Sequence, residues 1–163
     1  NRETAAPLDA APRSDTDVRA MLLLRIASFV SWPEWPATKQ DFVVGVIEWS
    51  AQLQALRAAA PTERVHGLPV RIVALREDSP LPPLDVLLVD PDLIRRLPYY
   101  AAELGTMPVL VATHGEGALR RGAALNFFAE ENRLRFEVRP SALSERGLKA
   151  SYKLLSLARV VKD

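Results

Sequence analysis

The chain has 163 residues, 48% of them hydrophobic and 25% charged, with a formal net charge of +1. That length suggests one domain able to bury a core without covalent staples, and the interspersed, near-neutral charge lacks the basic excess of a nucleic-acid binder. Cysteine is absent, which excludes disulfides, thiolate nucleophiles and thiolate metal sites, and the two histidines, His66 and His114, have no metal-ligand spacing.

Residues 1–14, "NRETAAPLDAAPRS", are small, polar and dotted with proline. They read as a flexible arm ahead of a single domain over residues 15–163. The chain starts at Asn1 rather than Met, as a trimmed chain or a mature chain without its signal peptide would. Asp15 or Asp17 can cap a helix running to about Ser31, with Val18, Leu22, Ile26 and Phe29 on one stripe and Leu23, Ala27 and Val30 widening it. Trp32-Pro33 is its expected stop, because a residue before proline is pushed out of helical geometry. The apolar run inside this helix, residues 20–30, is interrupted by Arg25 and falls short of the ~20 residues a membrane span needs, so no membrane insertion is expected.

"DFVVGVIEWS" contains a continuous apolar run that predicts a strand buried on both faces. "SAQLQALRAAAP" predicts a helix ending at Pro61, then a turn at His66-Gly67 and a strand over residues 70–75. After the loop "EDSPLPP", "LDVLLVD" predicts another buried strand. "PDLIRRLPYYAAELG" predicts a helical segment opened by Pro91, closed by Gly105 and split at Pro98. "TMPVLVAT" is a further strand, "HGEGALRRG" a turn or short helix. The closing "PSALSERGLKASYKLLSLARVV" predicts a helical turn, a break at Gly147 and a longer helix with two apolar stripes: Leu154, Leu157 and Val161, and Leu148, Tyr152 and Leu155. One stripe can cover the sheet, the other the first helix or a second subunit. Strand–helix–strand alternation of this kind predicts an α/β fold, a mostly parallel sheet with helices on both faces.

Residues 122–138, "GAALNFFAEENRLRFEV", break that alternation and predict an antiparallel hairpin at one edge of the sheet. A two-residue loop at Glu131-Asn132 pairs Ala129 with Leu134, Phe127 with Phe136 and Leu125 with Val138. The large apolar residues then share one face, while Asn126 meets Glu137 and Phe128 meets Arg135 on the other. A three-residue loop would mix the faces.

Ligands of open parallel sheets bind beyond the carboxyl ends of the strands. Those ends carry Glu48, Trp49, Ser50, Asp90 and His114, a candidate ligand site with Trp49 as a stacking platform. The plainer reading makes Ser50 or Asp90 a helix cap and Trp49 packing. Ser50, His114 and Asp90 can be written as a triad, but no G-x-S-x-G elbow accompanies them. The G-x-G of "HGEGALRRG" lacks the rest of a dinucleotide fingerprint. Neither an enzyme nor a cofactor is expected. "SFVSWPEWP" gathers Phe29, Trp32 and Trp35 around two prolines, as core packing or as an aromatic anchor for a protein partner.

Several of these pieces resemble, in order, the YfiR-like family. "VRAMLLLRIASFVSWP" is similar to its opening helix and aromatic-Pro stop, "HGLPVRIVAL" to its Gly-x-Pro strand entry, and "MPVLVAT" with Gly115 and Gly117 to its next strand and turn. "GAALNFFAEENRLRFEV" resembles its Asn-Phe hairpin, and "GLKASYKLLSLARVV" its Gly-Leu pair before a Leu-rich helix. The resemblance spans residues 18–161. It implies a Rossmann-like fold, a periplasmic location, a tendency to dimerise, and a non-enzymatic regulator. That regulator represses an inner-membrane diguanylate cyclase by binding its periplasmic sensor part, lowering cyclic-di-GMP and biofilm formation. On this reading the partner-binding candidates are Phe29, Trp32 and Trp35 together with the hairpin face Asn126, Phe128, Arg135 and Glu137. The alternative is a small-molecule sensor built on Glu48, Trp49, Asp90 and His114. Some relatives carry disulfides, and without cysteine this chain has no redox-linked version of the regulation.

Overall fold

The computed structural model describes residues 14–163. Of the expected N-terminal arm, all but Ser14 lies outside the described residues. Ser14 belongs to the fold: its Oγ accepts the Asp17 N–H at 3.1 Å and caps helix α1, Asp15–Ser28. Asp15 and Asp17, the expected caps, sit instead in the first turn, where carboxylates favour the helix dipole. The helix ends at Ser28, before Ser31, because Val30–Ser31 (β1) pairs antiparallel with Lys149–Ala150 (β9). Tertiary pairing, rather than Trp32-Pro33, ends it. Of the expected apolar set Leu23, Ile26, Ala27 and Val30 are buried, joined by Ala20 and Leu24, while Val18 and Leu22 are half-buried and Phe29 is 38% exposed.

Strand β2, Phe42–Ile47, is buried at every residue, as its unbroken apolar run requires. Helix α2, Ser50–Ala59, runs into a 3₁₀ turn at Ala60–Thr62. Arg64–Val65 (β3) and Leu68–Leu75 (β4) form a small hairpin through His66 and Gly67, both in the left-handed region. The strand expected from residue 70 therefore starts two residues earlier and gains a partner. Strand β5, Val86–Val89, leads through a 3₁₀ segment, Pro91–Arg96, into helix α3, Leu97–Leu104. Pro98 occupies the first turn of α3, where its missing N–H costs nothing, and Gly105 ends it at a φ of 61°. Strand β6, Leu110–His114, is followed by a 3₁₀ turn at Ala118–Arg121.

The hairpin forms strands β7, Leu125–Glu130, and β8, Arg133–Val138, in the expected register, Phe127 opposite Phe136 and Asn126 opposite Glu137. Glu131 and Asn132 both take positive φ, 52° and 63°, as a two-residue hairpin loop demands. Beyond the short helix α4, Pro140–Ser144, the long C-terminal helix does not form. Helix α5 covers only Tyr152–Leu157, capped by Ser151, and Arg159–Val160 (β10) then joins β8 in parallel. Of the two expected stripes Leu148 and Leu154 are buried, whereas Tyr152 is 89% and Leu157 60% exposed.

The sheet order is β10-β8-β7-β6-β5-β2-β4-β3, with β4 through β7 parallel. The hairpin is therefore not the sheet edge; β10 lies outside it. Alternate residues of the same strands feed two buried clusters. Phe42, Val44 and Val46 join Leu23, Leu24 and Leu56, while Val43 and Ile47 join Leu97, Tyr100 and Leu104.

Candidate functional site

Three groups of candidate residues come to definite places. In the first, Trp32 and Trp35 stack with centroids 5.9 Å apart, and both meet Phe42 and His66 edge-on. The Trp32 indole N–H donates to the Pro108 carbonyl at 2.9 Å, which ties the Trp-Pro segment to the loop before β6. His66 Nε2 lies 2.7 Å from the Val30 carbonyl and 3.1 Å from that of Ala27, so it carries the proton and caps the end of α1. Trp32 and Trp35 are half-buried packing residues. Phe29 stands apart from them, its ring under the Lys153 ammonium at 5.4 Å. The Phe29 carbonyl accepts the Ser151 N–H, which places the start of α5 beside it.

In the second group, Glu48 and Trp49 both have positive φ, 59° and 26°, where β2 turns into α2. Asp90 holds that turn. One oxygen accepts the Trp49 N–H at 3.1 Å and the other the Asp92 N–H at 2.8 Å. Asp90 thus caps the segment after β5 and bridges the adjacent ends of β2 and β5. The Glu48 carboxylate accepts from the Glu77 N–H at 2.9 Å and the Arg76 guanidinium at 3.1 Å. These two carboxylates are spent on backbone and a surface arginine.

His114 is engaged with a residue the sequence reading passed over. Arg19, on the buried face of α1, is 6% exposed. Its guanidinium donates to Gln52 Oε1 at 2.8 Å and to His114 Nδ1 at 2.9 Å, and lies 5.2 Å from the centre of the Trp49 ring. Arginine stays protonated, so His114 must accept at Nδ1 and carry its proton at Nε2. Burial, then the neighbouring Arg19 charge, hold His114 below its ordinary pKa, with Asp15 opposing weakly. Ser50, His114 and Asp90 make no hydrogen bonds to one another; each has other partners or faces solvent. A signal for Arg19 was present: a charge four residues before Leu23, on a stripe otherwise apolar.

The third group is the polar face of the hairpin. Asn126 is 2% and Glu137 8% exposed. Asn126 Oδ1 accepts the Gly115 N–H at 2.9 Å, and its Nδ2 donates to Glu137 at 2.8 Å. The other Glu137 oxygen accepts two bonds from Arg159, at 2.7 and 3.1 Å. The Arg159 guanidinium rests 4.1 Å over the centre of the Phe128 ring. Arg135 lies further along β8, exposed and paired with Glu130 at 2.9 Å. The four hairpin residues therefore divide: Asn126, Phe128 and Glu137 meet in one recess, and Arg135 is outside it. A cleft of about 440 Å³ opens beside the recess, bounded by His114, Gly117, Leu119 and Arg120. Among the described residues no group of three or more His, Asp or Glu side chains is placed to hold a metal ion, and no helix is long and apolar enough to cross a membrane.

A family model described as YfiR/HmsC-like matches residues 16–159, from the first turn of α1 to the start of β10. No curated protein matches the chain.

Proposed function

The chain belongs to the YfiR/HmsC-like family, and from that membership we propose that it is a non-enzymatic periplasmic regulator of a membrane-anchored diguanylate cyclase. It binds the periplasmic sensor part of the cyclase in the inactive state and shifts the population toward that state. Cyclic-di-GMP and biofilm formation fall as a result. The observation that carries this reading is the family match itself, which spans nearly every element of the fold. The strand order, with two buried clusters fed by alternate residues, supports the finer reading of a Rossmann-like sheet with helices on both faces.

Two surfaces support partner binding. Phe29, beside the start of α5, and Tyr152 and Leu157, its first and last residues, are large apolar side chains left exposed, with Lys153 over the Phe29 ring. Aromatic residues so presented are typical anchors of interfaces. The recess of Asn126, Phe128 and Glu137 is the second. A homodimer through the exposed face of α5 is part of the same proposal.

The test is co-purification of the full chain with an inner-membrane cyclase, together with cyclic-di-GMP levels in a deletion strain. We expect a specific complex and a rise in cyclic-di-GMP on deletion. Absence of both refutes the reading. The small-molecule alternative has one supporting observation: His114 borders the cleft with a protonated Nε2. Glu48, Trp49 and Asp90 do not line that cleft.

A further inference from the structure

We propose that Phe128, Glu137 and Asn126 form a guanidinium-recognition site, filled in the resting chain by Arg159, which an arginine side chain of the membrane partner takes over on binding. This rests on the partner-binding reading above and says what chemistry the partner must present. The geometry is that of a cation receptor. Phe128 supplies the aromatic face at 4.1 Å, and Glu137 a carboxylate oxygen that takes two forked bonds at 2.7 and 3.1 Å. Asn126 holds the remaining oxygen of Glu137 at 2.8 Å and is itself fixed by the Gly115 N–H, so the receptor is organised without its cation.

The occupant is held far less firmly than the receptor. Asn126 and Glu137 are buried within paired strands, but the Arg159 side chain is 52% exposed. It stands on a strand of two residues, joined to the sheet at its edge by two bridge pairs. The helix before that strand buries only Leu154. The adjacent cleft of about 440 Å³ reaches Glu137, Asn126 and Phe128 directly, so an incoming side chain meets the receptor without opening the core. A buried carboxylate strongly disfavours standing alone, which makes exchange of one cation for another the low-cost route. Arginine rather than lysine is specified, since the fork and the flat ring match a planar guanidinium.

The experiment is a titration of folded Arg159→Ala with N-acetylarginine amide, followed through the side-chain amide resonances of Asn126. We expect a saturable shift, absent in the wild type over the same range, lost in Arg159→Ala/Glu137→Gln and much weaker with N-acetyllysine amide. An unmoved Asn126 amide, or equal response to the lysine probe, overturns the site. If Arg159→Ala does not fold, Arg159→Lys replaces it, with the same expected and refuting results, because the ammonium cannot reproduce the fork. The second arm measures affinity for the periplasmic part of the partner. Affinity rises on removing Arg159 by the reciprocal of the fraction of time the resting site is open, about tenfold for an open fraction of roughly a tenth, and the added Glu137→Gln cancels the gain. Unchanged affinity overturns use of the site by the partner. A wild-type dimer abolished by Arg159→Ala also overturns it and assigns the site to Arg159 of a second copy. If the wild type binds no cyclase, the functional reading fails, and the titration alone decides the receptor chemistry.

Discussion

Asn126→Asp exchanges the side-chain amide nitrogen for a carboxyl oxygen and should turn a charge-assisted hydrogen bond into a pH switch. In the wild type the Asn126 amide donates to Glu137 across 2.8 Å, and both residues are buried. The substitution sets a second carboxyl at that distance. With both ionised, repulsion across 2.8 Å amounts to about 6 kcal/mol at an effective dielectric of ~20. Protonating one at pH 7 costs about 4 kcal/mol, at ~1.4 kcal/mol for each unit above an unfolded value near ~3.9. The smaller cost wins, so the pair shares a proton and the shared proton restores the hydrogen bond. The new carboxyl has a raised folded-state pKa. Its penalty is therefore absent below the unfolded value and grows as pH rises, to about 4 kcal/mol at pH 7, which is a large part of a typical domain stability of ~5–15 kcal/mol. Urea denaturation from pH 4 to pH 7.5 measures it, with Asn126→Ala as the control that loses the bond without adding charge. A cost for Asn126→Asp that does not change with pH, or that stays below about 1 kcal/mol at pH 7, refutes the buried Asn126–Glu137 contact.

His114 accepts from Arg19 as the neutral ring, and its folded pKa lies below the ordinary 6.5. The unfolded chain then takes up the proton first. Stability should fall as pH drops below that value, by no more than ~1.4 kcal/mol per unit, and level off below the folded pKa. His114→Asn, which keeps an acceptor near the Nδ1 position, should flatten the profile, and an unchanged slope would remove His114 as its cause. Glu131 sits in the left-handed region at a φ of 52°, so Glu131→Gly should stabilise the chain by about 0.5–1 kcal/mol in chemical denaturation. A loss of stability there would contradict the two-residue loop. At Gly45 an added Cβ would meet Leu84 Cδ2 at 2.8 Å and Leu75 Cδ1 at 2.9 Å. Gly45→Ala should cost about 1–3 kcal/mol through displaced side chains, and a neutral result would mean the core around β2 repacks freely.

The parts of the fold that were legible in the sequence are those where many residues vote together. Strands β2 and β5 announced themselves by unbroken apolar runs, since burial on both faces leaves no polar positions. The hairpin register followed from parity: only an even register puts Leu125, Phe127, Phe136 and Val138 on one side. Pro98 and Gly105 marked the limits of α3 through their own backbone chemistry. The two-residue strands β1, β9 and β10 carry no period to detect, and each overrode a local helical pattern. At the candidate sites the residue types were visible but not their obligations. Asp90 caps the segment after β5, as the plainer reading had it, and also holds the Trp49 N–H, whereas Glu48, a ligand candidate, satisfies the Glu77 N–H at a turn. Arg19 carries no motif of its own, and a single charge on a helix usually faces solvent, so nothing singles it out as a partner of His114.

The missed strand β10 alters the meaning of the hairpin. Had the C-terminal helix continued through residue 161, Arg159 would have followed a helical path and Glu137 would have closed the sheet edge as a carboxylate beside Asn126. Instead Ala158 turns extended, with φ −90° and ψ 156°. The next residue falls opposite Glu137 in the parallel ladder, and its guanidinium reaches both that carboxylate and the Phe128 ring. The polar face of the hairpin could not be an open interface once this happened, since Asn126 and Glu137 became buried and satisfied. What remains open is the cation: half exposed, on the least embedded strand of the sheet, beside a cleft. A partner shifts an equilibrium only through contacts that differ between the two states, and an exchangeable internal contact is one way to supply that difference. Among the polar contacts of this hairpin, the Arg159–Glu137 pair combines a fixed acceptor with a half-exposed donor, which is why the proposed exchange is placed at the recess rather than at Arg135.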